Sequence, residues 1–173
     1  MRWWKSTISI FFCTALVACA PAPGAFVVRA ATIESGTLTV RSVWQPAGPV
    51  LDALDHGIEL PFVISAQIRT PNARALRIHR HVQLRYFPLS RQYQVRDVED
   101  ATTRSYAARA LALAAMENLR LRLPADDAAG AMLHSVRIAL DRDALPGALR
   151  LPALLQSAWH MDSETWTWHA QAG

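Results

Sequence analysis

His79-x-His81 would set two imidazoles on one face of an extended segment, a spacing from which a strand can hold a metal ion. No Asp or Glu lies beside them in sequence, and Arg77, Arg80 and Arg85 crowd them with positive charge. They are expected as solvated residues of an open face. His160 and Asp162 share a parity and could orient one another beside Ser163. Serine catalysis, however, needs a strained, exposed nucleophile such as the G-x-S-x-G elbow, and that motif is absent. The acid pairs Glu99-Asp100 and Asp126-Asp127 have the chemistry for glycosidic cleavage, but both lie in turn contexts where carboxylates start or stop a helix. The seven glycines are scattered and form no phosphate loop. No catalytic residue, metal ligand or cofactor is therefore expected. Trp159, Trp166 and Trp168 fall within ten residues; they are either core or an amphipathic contact surface for lipid, glycan or a partner.

Cys19 offers a different chemistry. Arg2 and Lys5 form a cationic start, and Ile8 to Ala18 is an apolar run broken only by Ser9 and Thr14. Eleven helical residues span roughly 16 Å, about half a hydrocarbon core, which suits a secretion signal better than a membrane span. Leu16-Val17-Ala18-Cys19 resembles the lipobox of bacterial lipoproteins, where the thiol takes a diacylglyceryl group and becomes the new N-terminus. Residues 1–19 are thus expected as signal peptide, 20–31 as tether and 32–173 as one domain, with Val28-Arg29-Ala30 as an alternative cleavage site near residue 30. Ala20 is not the aspartate that retains lipoproteins in the inner membrane, so lipidation implies the outer membrane, facing the periplasm. Without it, the protein would be soluble in the periplasm.

The chain has 173 residues, and the part behind the signal is one domain's worth, enough for a single core. Basic residues number 18; apart from Arg2 and Lys5 all are arginines spread from Arg29 to Arg150, and the 14 acids all lie beyond residue 30. The domain is therefore only slightly cationic, with no block of charge for tracking phosphates, and nucleic acid is not an expected partner. Cys13 and Cys19 belong to the signal, so the domain has no thiol for a disulfide or a zinc site.

Alternating apolar residues predict strands over Thr32–Trp44 (turning at Ser35-Gly36), Leu60–Thr70, Arg77–Tyr86, Gln92–Arg96, Met132–Leu140 and Trp159–His169. Arg80 interrupts the apolar side of its strand, and a parity switch in the last strand suggests a bulge near Ser163. Val50 to Gly57 allows a helical turn or two. Arg104–Leu119 is expected as the one long helix, with Tyr106, Ala110, Leu113 and Met116 as its inner stripe. Leu145-Pro-Gly and Leu151-Pro suggest an irregular connection. The fold class is α+β, mainly β: an antiparallel sheet, sandwich or curved half-barrel, with one long helix packed on it. Phe62, Ile64, Val82, Leu84, Val136 and Ile138 should be buried.

Three stretches then carry a resemblance: Ala53-Leu-Asp-His-Gly-Ile-Glu-Leu-Pro-Phe62, Leu84-Arg-Tyr-Phe-Pro-Leu-Ser-Arg-Gln-Tyr-Gln-Val95, and Val136-Arg-Ile-Ala-Leu-Asp141 followed by Leu145-Pro. With Trp159-x-Met161-x-Ser163 and the Trp166–Trp168 pair, the chain resembles the exported proteobacterial family catalogued as domain of unknown function 4390. The resemblance implies an envelope address and a fold, and no mechanism. The expectation is a non-enzymatic binding or accessory protein of the bacterial cell envelope, its partner an envelope protein or lipid, held at the membrane if Cys19 is acylated. The alternative is a periplasmic hydrolase with an unrecognised His/carboxylate site.

Overall fold

A computed structural model of the chain describes residues 24–69, 75–123 and 133–169. In chain order its elements begin with β1 (Phe26–Glu34), β2 (Thr37–Trp44), α1 (Gly48–Asp55), β3 (Leu60–Arg69), β4 (Leu76–Phe87) and β5 (Gln92–Asp97). They continue with β6 (Thr102–Tyr106), α2 (Arg109–Glu117), β7 (Asn118–Arg122), β8 (Leu133–Leu140), α3 (Gly147–Leu155) and β9 (Trp166–His169). The class is α+β, mainly β. Two antiparallel sheets form, a smaller one ordered β1-β2-β7 and a larger one ordered β6-β5-β4-β3-β8-β9, and no closed barrel results.

The strands follow from period-two patterning, which gives each strand one apolar face. Leu60, Phe62, Ile64, Ala66 and Ile68 of β3 are buried, as are Val82 and Leu84 of β4 and Val136 and Ile138 of β8. All six residues expected in the core are there. Opposite them, β1 and β2 bring Phe26 and Trp44, stacked at 4.6 Å, and both meet the Phe62 ring edge-on at 5.5 and 5.3 Å. The hairpin joining β1 to β2 turns at Ser35-Gly36 with positive φ at both positions (48° and 71°), matching the strand twist.

Several expectations are corrected. The segment 20–31 is not all tether: β1 begins at Phe26, and Phe26, Val28 and Ala31 lie in the core. Arg104–Leu119 is not one long helix. Residues 102–106 pair with β5 through the Val98–Ala101 turn, residues 118–122 pair with β2, and only Arg109–Glu117 between them is helical. Alanine favours helix, but the Thr-Thr-Arg-Ser-Tyr and Asn-Leu-Arg-Leu-Arg flanks find sheet partners, and tertiary pairing overrides intrinsic preference. Within α2 the buried residues are Ala112 and Met116; Ala110 is exposed, and Tyr106 belongs to β6. The connection after Leu145 holds α3, with Pro152 inside it. Trp159–His169 is not one strand either: a 3-10 turn takes Ser157–Trp159, and only Trp166–His169 pairs as β9.

α1 and α2 cover the inner face of the larger sheet at one end. Tyr86, Tyr93 and Tyr106 form a row there, from the cross-strand pairs Tyr86↔Tyr93 and Tyr93↔Tyr106. The Tyr93 hydroxyl donates to Asp55 Oδ1 (2.8 Å), whose other oxygen accepts from Arg109, tying α1, β5 and α2 together. Burial and the Asp55 carboxylate push the Tyr93 phenol up to about 12.

Candidate functional site

The parity that buries one face of the larger sheet leaves the other outward, and around Ser65 and Gln67 that outer face is polar. Register sets its residues in rows. Ser65 of β3 sits between His79 of β4 and Arg137 of β8; Gln67, the next outward residue of β3, sits between Arg77 and Ser135. Thr167 of β9 extends the second row beside Ser135. A groove of about 470 Å³ crosses these strands, lined by Ser65, Gln67, Arg77, His79, Ser135, Arg137 and Thr165 together with Ala66 and Val136. A second depression of about 240 Å³ shares Gln67, Ser135 and Thr165 and adds Arg69, His134 and Thr167. The two are therefore continuous.

Every polar side chain lining the groove carries an N–H or O–H donor, and none is a carboxylate. Two strand spacings and one offset of two residues separate Arg77 from Arg137, roughly 12 Å between Cα atoms, a span that arginine side chains can close from both sides. Arg77 makes no ion pair among the described residues. Arg137 shares Asp162 with Arg142, both guanidinia reaching the same Oδ2 at 3.2 Å, so one carboxylate faces two cations. Ser65 Oγ and His79 Nδ1 are hydrogen-bonded at 3.1 Å. His134 is buried, stacks on Trp168 (5.1 Å between ring centroids) and leaves Nδ1 without a partner among the described residues. Burial alone holds its imidazole below the ordinary value, which favours the neutral ring.

On the inner face, Arg80 resolves the interruption seen in the sequence. Its guanidinium meets both oxygens of Asp97 (3.0 Å each) and Asp100 Oδ2 (2.7 Å), with Glu99 at 3.8 Å. Burial opposes the charge, but the bonds from Asp100 and Asp97 outweigh it and hold Arg80 above its ordinary value. Glu99 also takes the His81 ring nitrogen (2.5 Å) and amide (2.8 Å). Burial would raise the Glu99 pKa, and the His81 contacts more than reverse it. The expectation that His81 has no acid near it is corrected: Glu99, distant in sequence, lies against it. Glu99 and Asp100 close the β5–β6 turn on Arg80 and His81 and start no helix.

With this geometry described, comparison with known proteins adds one fact. The sequence model of Domain of unknown function (DUF4390) matches residues 35–169. The chain belongs to this family. No curated protein and no solved structure is similar enough to match it. In this DUF4390 chain the matched region takes in the larger sheet, β2 and β7 of the smaller one and the whole groove, whereas β1, with Phe26, precedes it.

The residues singled out in the sequence fare unequally. Trp159 is 2% exposed and belongs to the core. Trp166 and Trp168 pair opposite Val136 and His134 on the core-side parity of the edge strand; Trp166 is 37% exposed and Trp168 half-buried. The three do not form one surface. The bulge expected near Ser163 is not within a strand, since residues 160–165 form a connection between Trp159 and β9. Ser163 meets Ile138 and Trp166 meets Val136, three residues advancing against two, which is one extra residue. Ser163 is buried: its amide donates to Ile138 O (2.7 Å), and its Oγ accepts from Ile138 N–H (2.9 Å) while donating to Glu164 O (2.8 Å). Asp162 faces arginines, and His160 is exposed. The His160, Asp162 and Ser163 set is therefore not assembled as a nucleophile and base. Cys19 and Asp126-Asp127 lie outside the described residues. Sequence reasoning missed the Ser65–His79 pair and the facing of Arg77 and Arg137, because only register across β3 brings them together.

Proposed function

We propose that this DUF4390 chain is an exported, non-enzymatic binding protein of the bacterial cell envelope that takes an anionic ligand in the groove across β3, β4 and β8. The observation that carries the reading is the lining: guanidinium, imidazole, amide and hydroxyl donors converge there, no described carboxylate lines the groove, and the one beside it, Asp162, is shared between Arg137 and Arg142. Phosphate or carboxylate oxygens are the acceptors that match such a set, and arginine's fork is suited to both. Export rests on the apolar run Ile8–Ala18 and the lipobox ending at Cys19, whose acylation would hold the protein on the outer membrane, facing the periplasm. The core supports that cleavage site over the alternative one. A cut near residue 30 would remove Phe26 and Val28, which fill the space beside Trp44, whereas a cut at Cys19 leaves β1 whole. Mass spectrometry of the mature N-terminus reads this directly: a diacylated Cys19 is expected, and an unmodified peptide starting at Ala31 overturns it.

A hydrolase is the second reading, favoured by the Ser65–His79 hydrogen bond. It is the weaker one. Ser65 lies mid-strand and not on an elbow, Nδ1 is the ring nitrogen that faces it, and no described carboxylate contacts His79 to orient the ring. Calorimetric titration of the full chain with inorganic pyrophosphate at low salt separates the readings. Affinity should fall about tenfold or more in Arg77→Ala/Arg137→Ala, because charge-assisted hydrogen bonds are lost, and it should weaken as salt rises. Undiminished binding by that double variant refutes the groove, and ester hydrolysis lost in Ser65→Ala assigns the function to an enzyme instead.

A further inference from the structure

Exposed apolar residues are mostly scattered, but three stand together on α3. Leu151, Leu154 and Leu155 are 68%, 58% and 82% exposed, and spacings of three and four residues put them on one side of the helix. The inward side is occupied, with Ala153 buried and Leu149 packed on the core. α3 is thus apolar towards water as well, where a surface helix ordinarily carries charge. Its single charged residue, Arg150, donates from Nε to Leu145 O (3.0 Å) and has no ionic partner among the described residues.

What this face meets is indicated by where the chain enters the domain. Gly24 is buried; its carbonyl accepts from Trp44 Nε1 (3.1 Å), and a Cβ on it would lie 3.4 Å from the carbonyl oxygen of Ala158. Ala158 follows Leu155 by three residues, roughly 11 Å of chain at most, and Cys19 precedes Gly24 by five, roughly 18 Å at most. The tether and the leucines therefore leave the domain at one end, within reach of a single membrane surface.

We infer that Leu151, Leu154 and Leu155 insert into the bilayer to which the chain is tethered, laying α3 in the interface with Arg150 among anionic headgroups. The inference rests on the tether proposed above, which keeps a bilayer next to α3 in every molecule. Three leucines fall well short of the roughly 800 Å² per partner that a stable protein interface buries, whereas they suffice to orient a domain already held at the membrane.

The test uses the full chain carrying Cys13→Ala and Leu154→Cys, labelled at position 154 with an environment-sensitive fluorophore in vesicles of phosphatidylethanolamine and phosphatidylglycerol. Intact mass reads the tether, as acylated Cys19 or not. Quenching by nitroxide-bearing lipid reads the face; if no acyl group is found it is measured with added vesicles on the same variant carrying Cys19→Ala, so that position 154 alone takes the label and the two readings fail separately. Blue-shifted emission at 154 that nitroxide lipid quenches is expected, while the same label at Thr103→Cys, on the far edge of the larger sheet, stays water-like and unquenched. Water-like emission at 154 overturns the inference. Blue-shifted emission that lipid does not quench also overturns it, and assigns the face to a protein cover, a second copy or the 8–18 segment. Leu151→Ser/Leu154→Ser/Leu155→Ser should leave the melting temperature unchanged, because these side chains are already in water.

Discussion

Arg77 and Arg80 lie three residues apart on β4 and meet opposite environments. The odd spacing places them on opposite faces of the larger sheet. Arg80 points into the core, and its side chain is only 11% exposed; the chain supplies Asp97, Asp100 and Glu99 from β5 and the following turn to compensate it. Arg77 points outward beside Ser65, Gln67 and His79 and has no carboxylate among the described residues. A buried cation must bring its own anions, because an unpaired one would cost several kcal/mol. An arginine on an open face has no such requirement, which leaves its donors available to a ligand. The same residue type is thus structural on one face and a candidate binding group on the other.

Arg80→Ala should produce the largest loss, about 3–5 kcal/mol in denaturant unfolding, since it leaves Asp97 and Asp100 facing each other without a counter-charge. A loss below about 1 kcal/mol would mean that the inner cage is no more structural than the outer groove. Tyr93→Phe should cost less, about 1 kcal/mol, because Asp55 loses the phenol donor but keeps Arg109. On the acid side of neutrality, two of the described groups make stability depend on pH. Buried His134 takes up a proton less readily when folded than unfolded, so its contribution is present above about pH 6.5 and is lost as pH falls below that. Glu99 is held below its ordinary value, so its contribution persists to lower pH and is lost as pH falls through the carboxylate range. Melting temperatures should therefore fall in two steps on acidification; His134→Leu should flatten the first and Glu99→Gln the second. The smallest stability effect belongs to Arg77→Ala, within about 0.5 kcal/mol, yet that variant should weaken pyrophosphate binding. A large stability loss there would assign Arg77 to the scaffold.

Much of the fold was legible in one dimension. Leu60–Arg69, Leu76–Phe87 and Gln92–Asp97 alternate, with Arg80 the one polar residue on the apolar parity of the second, so their faces and their hairpin pairing follow from neighbouring residues alone. The long-helix expectation failed for a physical reason. Residues 102–106 and 118–122 have no decisive local preference, and they become strands because β5 and β2 have unpaired edges for them. α3 was obscured by Pro152, which reads as a breaker because a residue past the first turn ordinarily donates its amide within the helix, yet here Pro152 lies inside it. The groove was less legible still. Ser65 and His79 are 14 residues apart, and Arg137 comes from a strand that meets β3 across the chain; no spacing rule joins them.

The sequence by itself determined the apolar run that ends at the Cys19 thiol, the parity of three central strands and hence which side chains fill the core, because these depend on residues near in the chain. Which edge each short strand pairs with, which carboxylates close on Arg80, where the tryptophans lie and which donors share the groove were decided only in the tertiary structure. They depend on register between strands far apart in sequence, and a shift of one residue there would turn every side chain to the opposite face.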